Sequence, residues 1–370
     1  MPARPEKILV RGVNWLGDAV MTTPALQRLR EAQPHARIEL LTHEKLAGLW
    51  QGHSAIDGVI AFADGEPVTR VARRLRSSGF DTALVLPNSP RSALEAFLAR
   101  IPVRIGYARH WRRFLLTQAV PPRSGATVMH KRSTAEVQRR VREGCVRETF
   151  PAGAHHVHDY LGLAARLGGD LAPIAPRLHV AEDEVAAALA RLDIVRDRPL
   201  VALNPGAEYG PAKRWPAERF VDAAIQIQKA MPCRLLVLGG PGDTELAGAI
   251  AHELAGRIPG DAVLNVAGRT SLRELCAVLK ASVLLLTNDS GPMHVAAALG
   301  TPVVAPFGST SPELTGPVAV AQSGFHVALG TAACAPCFRR DCPIDFRCMR
   351  SISVEEVIAL ALRCLGRAAA

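Results

Sequence analysis

Apolar residues in the first half of the chain alternate between two rhythms. Short continuous runs, "KILVRG" (7–12), "RIELLTH" (37–43), "DGVIAF" (57–62), "DTALVLPNS" (81–89) and "VRIGY" (103–107), predict buried strands. Between them, "DAVMTTPALQRLREAQP", a basic amphipathic run over 68–78 and "RSALEAFLAR" carry apolar residues at helical spacing. Strands without a wet face, separated by helices, imply a parallel sheet with crossover helices. The alternation pauses at "RLGGDLAPIAPRLHV", where Gly and Pro predict a linker over 168–180, and then restarts. Further strands are expected at 199–206, 234–240, 263–269, 283–290 and 302–308, with helices between them and a last helix over about 353–366. Ser271 with Glu274, and Ser353 before two glutamates, mark helix starts. The chain therefore reads as α/β, with two Rossmann-like, doubly wound domains over 1–170 and 181–350 facing a central cleft. Residues 351–370 are expected to pack back towards the first domain. Such sheets bind ligands at the carboxyl ends of their strands, so the residues just after each strand are the candidates for chemistry.

The length, 370 residues, suits two domains of ordinary size. No apolar run reaches the roughly 18 residues of a membrane span, and "MPARPEKILV" lacks an apolar signal region, which predicts a cytoplasmic protein. Eight cysteines in such a compartment are expected to be reduced thiols unless they bind metal. Net charge is +10, and Arg100 to Arg147 alone holds 12 Lys/Arg against 2 Asp/Glu. Within it "RIGYARHWRRF" interleaves aromatics with Arg104, Arg109, Arg112 and Arg113. This clustering points to an anionic partner: a membrane surface, a phosphorylated glycolipid or nucleic acid. Neither half carries G-x-G-x-x-G with a downstream ribose acid, which argues against a nicotinamide dehydrogenase.

The block "LTNDSGPMHVAAALGTPVVAPFGSTSPELTGP" (286–317) is the strongest site. Asp289 stands where a strand ends, Ser290 and Gly291 open the next helix, and His294 lies one turn in. The unpaired N–H groups of a helix start suit a phosphate. The plain alternative is a capped helix with Asp289 or Ser290 as N-cap. In "NPGAEYGPAKRWPAERF" (204–220), Lys213 and Arg214 sit in a Pro-bounded loop where a cation can neutralise a diphosphate, or where ordinary solvated charges can sit. "LGGPGDTEL" (238–246) offers Asp243 and Glu245, either of which can cap a helix or accept from sugar hydroxyls. "NWLGDAVMTTPAL" sits at a Rossmann-like turn, yet its acid, Asp18, argues against an anion there. A simple N-cap is the plain role for that residue. The run "CAPCFRRDCPIDFRCM" holds Cys334, Cys337, Cys342 and Cys348, enough thiols for tetrahedral zinc but not in the usual paired spacing, so no metal is assigned.

Taken together, "GDAVMTTPAL", "PGAEYGPAKRWP" and "TNDSGPMHVAAALGTPVVAPFG" resemble the glycosyltransferase family 9 heptosyltransferases, in order and spacing from about Lys7 to the last helix. The G-x-x-x-G-P-A-K-R-W-P form is the more branch-specific part, and D-S-G-x-x-H marks the wider family. The resemblance implies a GT-B fold, with the acceptor bound mainly by the first domain and the nucleotide-sugar by the second. It implies inverting transfer of L-glycero-D-manno-heptose from ADP-heptose onto the first heptose of the lipopolysaccharide inner core. Alternatives are another core transferase of type I or III, or a non-catalytic protein that binds anionic glycolipid. By motif, Asp18 is similar to the family's general base and Lys213 to its diphosphate lysine. Asp289, Ser290, Gly291 and His294 match its donor block, and a further acidic donor contact falls at Glu245 or Asp243. The implied partners are ADP-heptose, a lipopolysaccharide inner-core acceptor met by the arginine-rich surface, and the inner membrane face. No cofactor and no nucleic acid is expected. Independently of the resemblance, an inverting transfer needs a base for the acceptor hydroxyl and a cation for the departing diphosphate, and these residues supply both.

Overall fold

The structure, a computed structural model, describes residues 5–318 and 324–366. The chain divides into two compact units. The first runs to Thr127 and takes in Gly153–His179. The second holds Val128–Ala152 and the chain from Val180 onwards.

The first unit has six strands: β1 (Lys7–Arg11), β2 (Arg37–His43), β3 (Gly58–Phe62), β4 (Thr82–Val85), β5 (Val103–Tyr107) and β6 (Gln118–Val120). All pair in parallel, in the order β3-β2-β1-β4-β5-β6. The second repeats the plan with β7 (Leu200–Asn204), β8 (Arg234–Val237), β9 (Val263–Asn265), β10 (Leu284–Thr287), β11 (Val303–Phe307) and β12 (Phe325–Leu329). Its order, β9-β8-β7-β10-β11-β12, is the same 3-2-1-4-5-6 Rossmann winding. Central strands such as β7, β10 and β11 are buried at every residue, which is why they read as unbroken apolar runs. β6 and β12 lie at sheet edges, are only partly covered and lack that signal, so the sequence pattern does not reveal them.

The expected first helix is two helices, Leu16–Met21 and Thr23–Ala32. Pro24 has no N–H to give the Val20 carbonyl, and the Thr23 hydroxyl donates to that carbonyl instead, at 2.8 Å. One face of the first sheet is covered by helices Val68–Ser77 and Pro90–Leu98, through Val71, Leu75, Ala93 and Ala96.

Two domain expectations need correction. Residues 128–152 lie in the sequence of the first domain but pack in the second unit. There helix Thr134–Arg142 buries Val137 against Cys334 and Cys337, and Arg132 donates to the Cys334 carbonyl at 2.7 Å. The last helix, Val354–Cys364, belongs to the second unit. Its apolar stripe of Val357, Ile358, Ala361 and Leu362 is buried in the second unit's core, against helix Ala217–Ala230 and β11. At about 1.5–3 kcal/mol per buried Val, Ile or Leu, that stripe is enough to hold it. The capping boxes expected at Ser271–Glu274 and the Ser353 cap are both present.

Candidate functional site

In the second unit the winding reverses between β7 and β10, and the crevice outside their carboxyl ends is where an open α/β sheet takes its ligand. Asn204 ends β7 and Thr287 ends β10. The Asn204 Nδ2 donates to the Thr287 Oγ1 at 3.1 Å and to the Ser290 Oγ at 3.3 Å, which ties the two exits together. Ser290 occupies the N-cap position of helix Gly291–Leu299, but its hydroxyl is held by Asn204 and Thr287 and makes no cap bond. The plain capping role is therefore not what the structure has. The helix start is left with its positive end uncapped by any side chain, as an anion site requires.

The lysine loop rises beside this helix. Lys213 Nζ lies 2.6 Å from the Asp289 carboxylate and 4.9 Å from the Tyr209 ring centre. Asp289 is 5% exposed and also accepts from the Thr310 hydroxyl at 2.7 Å. Burial alone would raise its pKa. The adjoining Lys213, the Thr310 bond and nearby His294 outweigh burial and hold it below the ordinary carboxylate range. His294 is buried one turn into the helix.

The loop is clamped at both ends. Asn288 accepts from the Trp215 backbone N–H at 2.9 Å and donates to the Pro205 carbonyl at 2.7 Å. The Cys-rich segment supplies the other clamp. The Arg340 carbonyl accepts from Ala212 N–H at 2.9 Å, and the Phe338 carbonyl from the Tyr209 hydroxyl at 2.8 Å. Gly210, at φ +150°, passes so close that a Cβ there would meet the Arg340 oxygen at 2.6 Å. Behind Thr310, Arg147 from the crossing segment donates to the Gly308, Gly330 and Thr310 carbonyls.

The two acids of the β8 exit separate clearly. Asp243 is held by Arg214 at 3.3 Å and lies over Gly206, where a Cβ would be 2.3 Å from its carboxylate. Glu245 is exposed in the first turn of helix Thr244–Ala255.

In the first unit Asp18 is not an N-cap. Trp15 holds that position, and Asp18 lies in the first turn of helix Leu16–Met21, where the helix dipole favours an acid. The turn before it is fixed by Arg11, almost fully buried. Arg11 bonds to the buried Glu95 at 2.8 Å, to the Asn14 side chain at 2.9 Å and to the Gly12 carbonyl. Asp18 is half-buried, and its charge helps push the Tyr160 phenol above its ordinary pKa, after burial as the main cause.

Three comparisons with known proteins bear on this arrangement. The family model of glycosyltransferase family 9 (heptosyltransferase) matches residues 68–142 and 145–346, more than half of the chain. The chain belongs to glycosyltransferase family 9. Lipopolysaccharide heptosyltransferase 2 of Salmonella typhimurium is 31% identical over 325 residues, 84% of this chain and 85% of the relative. Lipopolysaccharide heptosyltransferase 3 of Escherichia coli is 24% identical over 313 residues, 80% of this chain and 81% of the relative. Among solved structures, that of E. coli ADP-heptose LPS heptosyltransferase II superposes with a TM-score of 0.75 at 26% identity, covering 97% of this chain and 98% of that one. With two six-stranded parallel sheets, this glycosyltransferase has the GT-B fold. Asp18 precedes the stretch that the family model matches.

The arginines expected on the glycosyltransferase's anion-binding surface are not equivalent. Arg112 is buried, not on the surface. It donates to the Tyr107 carbonyl at 2.9 Å and to the Pro87 carbonyl, and burial, helped by Arg109, lowers its pKa to about 10. Arg104 is half-buried and bonds the Leu115 and Ile101 carbonyls, Arg109 is half-buried, and Arg113 is exposed. All eight cysteines are free. Burial raises the Cys334 and Cys337 thiols and pushes Cys348 up to about 12. Among the described residues no group of three or more His, Cys, Asp or Glu is placed to hold a metal ion, and no helix is long and apolar enough to cross a membrane.

Sequence reasoning missed Asn204, Thr287, Thr310 and Arg147. The first three carried a usable signal, since each lies at or just beyond a strand exit inside a motif already noted. Arg147 carried none, because its contacts depend on residues 128–152 joining the second unit.

Proposed function

We propose that this glycosyltransferase moves L-glycero-D-manno-heptose from ADP-heptose onto the first heptose of the lipopolysaccharide inner core, with inversion at the anomeric carbon. The observation that carries the reading is the Lys213–Asp289–Thr310 unit beside the uncapped start of helix Gly291–Leu299, at the switch point of the second sheet. The names of the relatives, lipopolysaccharide heptosyltransferases among them, support the donor and the acceptor.

In this reading Lys213 and the backbone N–H groups at Gly291 and Met293 hold the diphosphate of the donor. As the bond from the anomeric carbon to the diphosphate oxygen breaks, the growing negative charge meets a cation and a helix start that are already in place. Asp289 and Thr310 orient the ammonium. Asp243 is engaged with Arg214 in shaping the loop, so the exposed Glu245 carboxylate is the acid that accepts from ribose hydroxyls. Asp18 takes the proton from the acceptor hydroxyl as its oxygen bonds the anomeric carbon from the face opposite ADP. The products are the extended core and ADP. The acceptor, phosphorylated and carboxylated, is met by arginines of the first unit, with Arg113 and Arg109 the accessible ones. The enzyme works in the cytoplasm, at the inner face of the inner membrane.

The donor half of the reading is tested by ADP release. ADP should form from ADP-heptose only when a heptose-bearing acceptor is present. It should fall to background in Asp18→Asn, while ADP still binds. Equal turnover of a UDP-sugar would remove the donor assignment.

A further inference from the structure

On one side of the first unit, helix Val68–Ser77 packs on helix Pro90–Leu98, which packs on the 3-10 turn His110–Leu115. This outer side carries a cationic field. Arg70, Arg73, Arg76, Arg100 and Arg113 are exposed and have no acidic partner among the described residues. It also carries aromatics in water. Trp111 is 86% exposed, Phe114 73% and Phe97 41%.

The turn accounts for this exposure. In a 3-10 helix residues i and i+3 eclipse. Arg112 and Leu115 form the inward pair, at 0% and 6% exposure, and Arg112 bolts the turn to the Tyr107 and Pro87 carbonyls. Trp111 and Phe114 are the opposite i, i+3 pair and are thrust outward together. A rigid turn that holds two large rings in solvent is costly unless something covers them. Rings with a polar or charged fringe are the side chains that settle at the headgroup level of a bilayer.

We propose that this side of the first unit is a membrane-docking surface. Trp111 and Phe114 enter the headgroup layer of an anionic phospholipid bilayer, and Arg70, Arg73, Arg76, Arg100 and Arg113 meet the lipid phosphates. Charge complementarity selects the occupant, because the cytoplasmic leaflet is anionic and attracts unpaired arginines. Rings and charge together give the two signals that stable yet reversible attachment needs. The inference rests on the reading that the acceptor is a membrane glycolipid, and it names the element that brings the enzyme to the surface.

The test is flotation of the full chain with vesicles of phosphatidylethanolamine and phosphatidylglycerol that contain no lipopolysaccharide. The wild type should float. Trp111→Ala/Phe114→Ala should lower the partition coefficient about tenfold or more, as should Arg70→Glu/Arg73→Glu. Bromine-bearing lipid chains should quench Trp111 fluorescence. Both double variants should keep the thermal transition and full turnover on a detergent-dispersed acceptor. Failure of the wild type to bind vesicles, equal binding by the ring variant, or binding only to RNA or to vesicles that contain lipopolysaccharide would overturn the proposal. Vesicle binding without any turnover of ADP-heptose would leave this surface standing and remove the functional reading instead.

Discussion

Replacing Lys213 with Met takes away the ammonium that lies 2.6 Å from the Asp289 carboxylate. Asp289 is 5% exposed, so water cannot take over the charge. Two outcomes are open to it. It can stay ionised and unpaired, which costs about 3–5 kcal/mol at a buried site. Alternatively it can take up a proton, and forcing an ordinary aspartate of pKa about 3.9 to be neutral at pH 7 costs about 4 kcal/mol. The cheaper route sets the loss at about 3–4 kcal/mol, a large part of a typical stability of about 5–15 kcal/mol. The pH dependence has a definite sign. In the wild type the folded pKa of Asp289 is depressed, so its contribution is present above the unfolded pKa and is lost only as pH falls through the folded value. Between pH 7 and 5.5 it is flat. In the variant burial without the lysine raises the folded pKa, so protonation relieves the folded state as pH falls. The deficit should shrink by up to about 2 kcal/mol between pH 7 and 5.5. Denaturant unfolding of both chains at the two pH values measures it. The Lys213→Met/Asp289→Asn double variant should recover most of the loss. A deficit below about 1 kcal/mol, or one that does not change with pH, would refute the claim that the pair is a buried, mutually dependent charge site.

Asp18→Asn should lower single-turnover transfer about a hundredfold or more while calorimetric ADP affinity stays within about twofold; near-normal transfer would remove the base assignment. Gly210→Ala places a Cβ against the Arg340 carbonyl in a backbone region that side chains avoid, so the Lys213 loop must shift. The donor KM should rise about tenfold, and an unchanged KM would show that loop position does not govern donor binding. Arg147→Ala removes three bonds to the Gly308, Thr310 and Gly330 carbonyls. It should cost about 3 kcal/mol in denaturant unfolding and speed amide exchange at Thr310. Arg140→Ala, which loses bonds to two carbonyls further from the site, should leave exchange at Thr310 alone.

Most of the fold was legible because buried parallel strands advertise themselves. β7, β10 and β11 are buried throughout, with β7 and β10 apolar up to their last residue, and their exits delivered Lys213, Asp289 and Ser290. Hidden features were those that depend on partial burial or on long-range placement. β6 and β12 are half-covered edges, and nothing local in residues 128–152 says which unit they join. Arg112 reads as one more surface cation, and only the 3-10 turn reveals that it points inward and Trp111 outward. Asp18 illustrates the opposite case. Its position after β1 was readable, and the structure removed the capping role by placing Trp15 at the cap. For Glu245 and Asp243 the sequence offered two equivalent acids, and the close approach of Gly206 to Asp243 separates them.

The central claim is the identity of the transferred sugar and its acceptor. Purified enzyme, ADP-heptose and two defined acceptors, Kdo2-lipid A with and without its first heptose, give the direct test when products are weighed by mass spectrometry. The account predicts that only the heptose-bearing acceptor gains mass, by one heptose residue, with one ADP released per transfer. Extension of the heptose-free acceptor, or no mass gain on either, would contradict it.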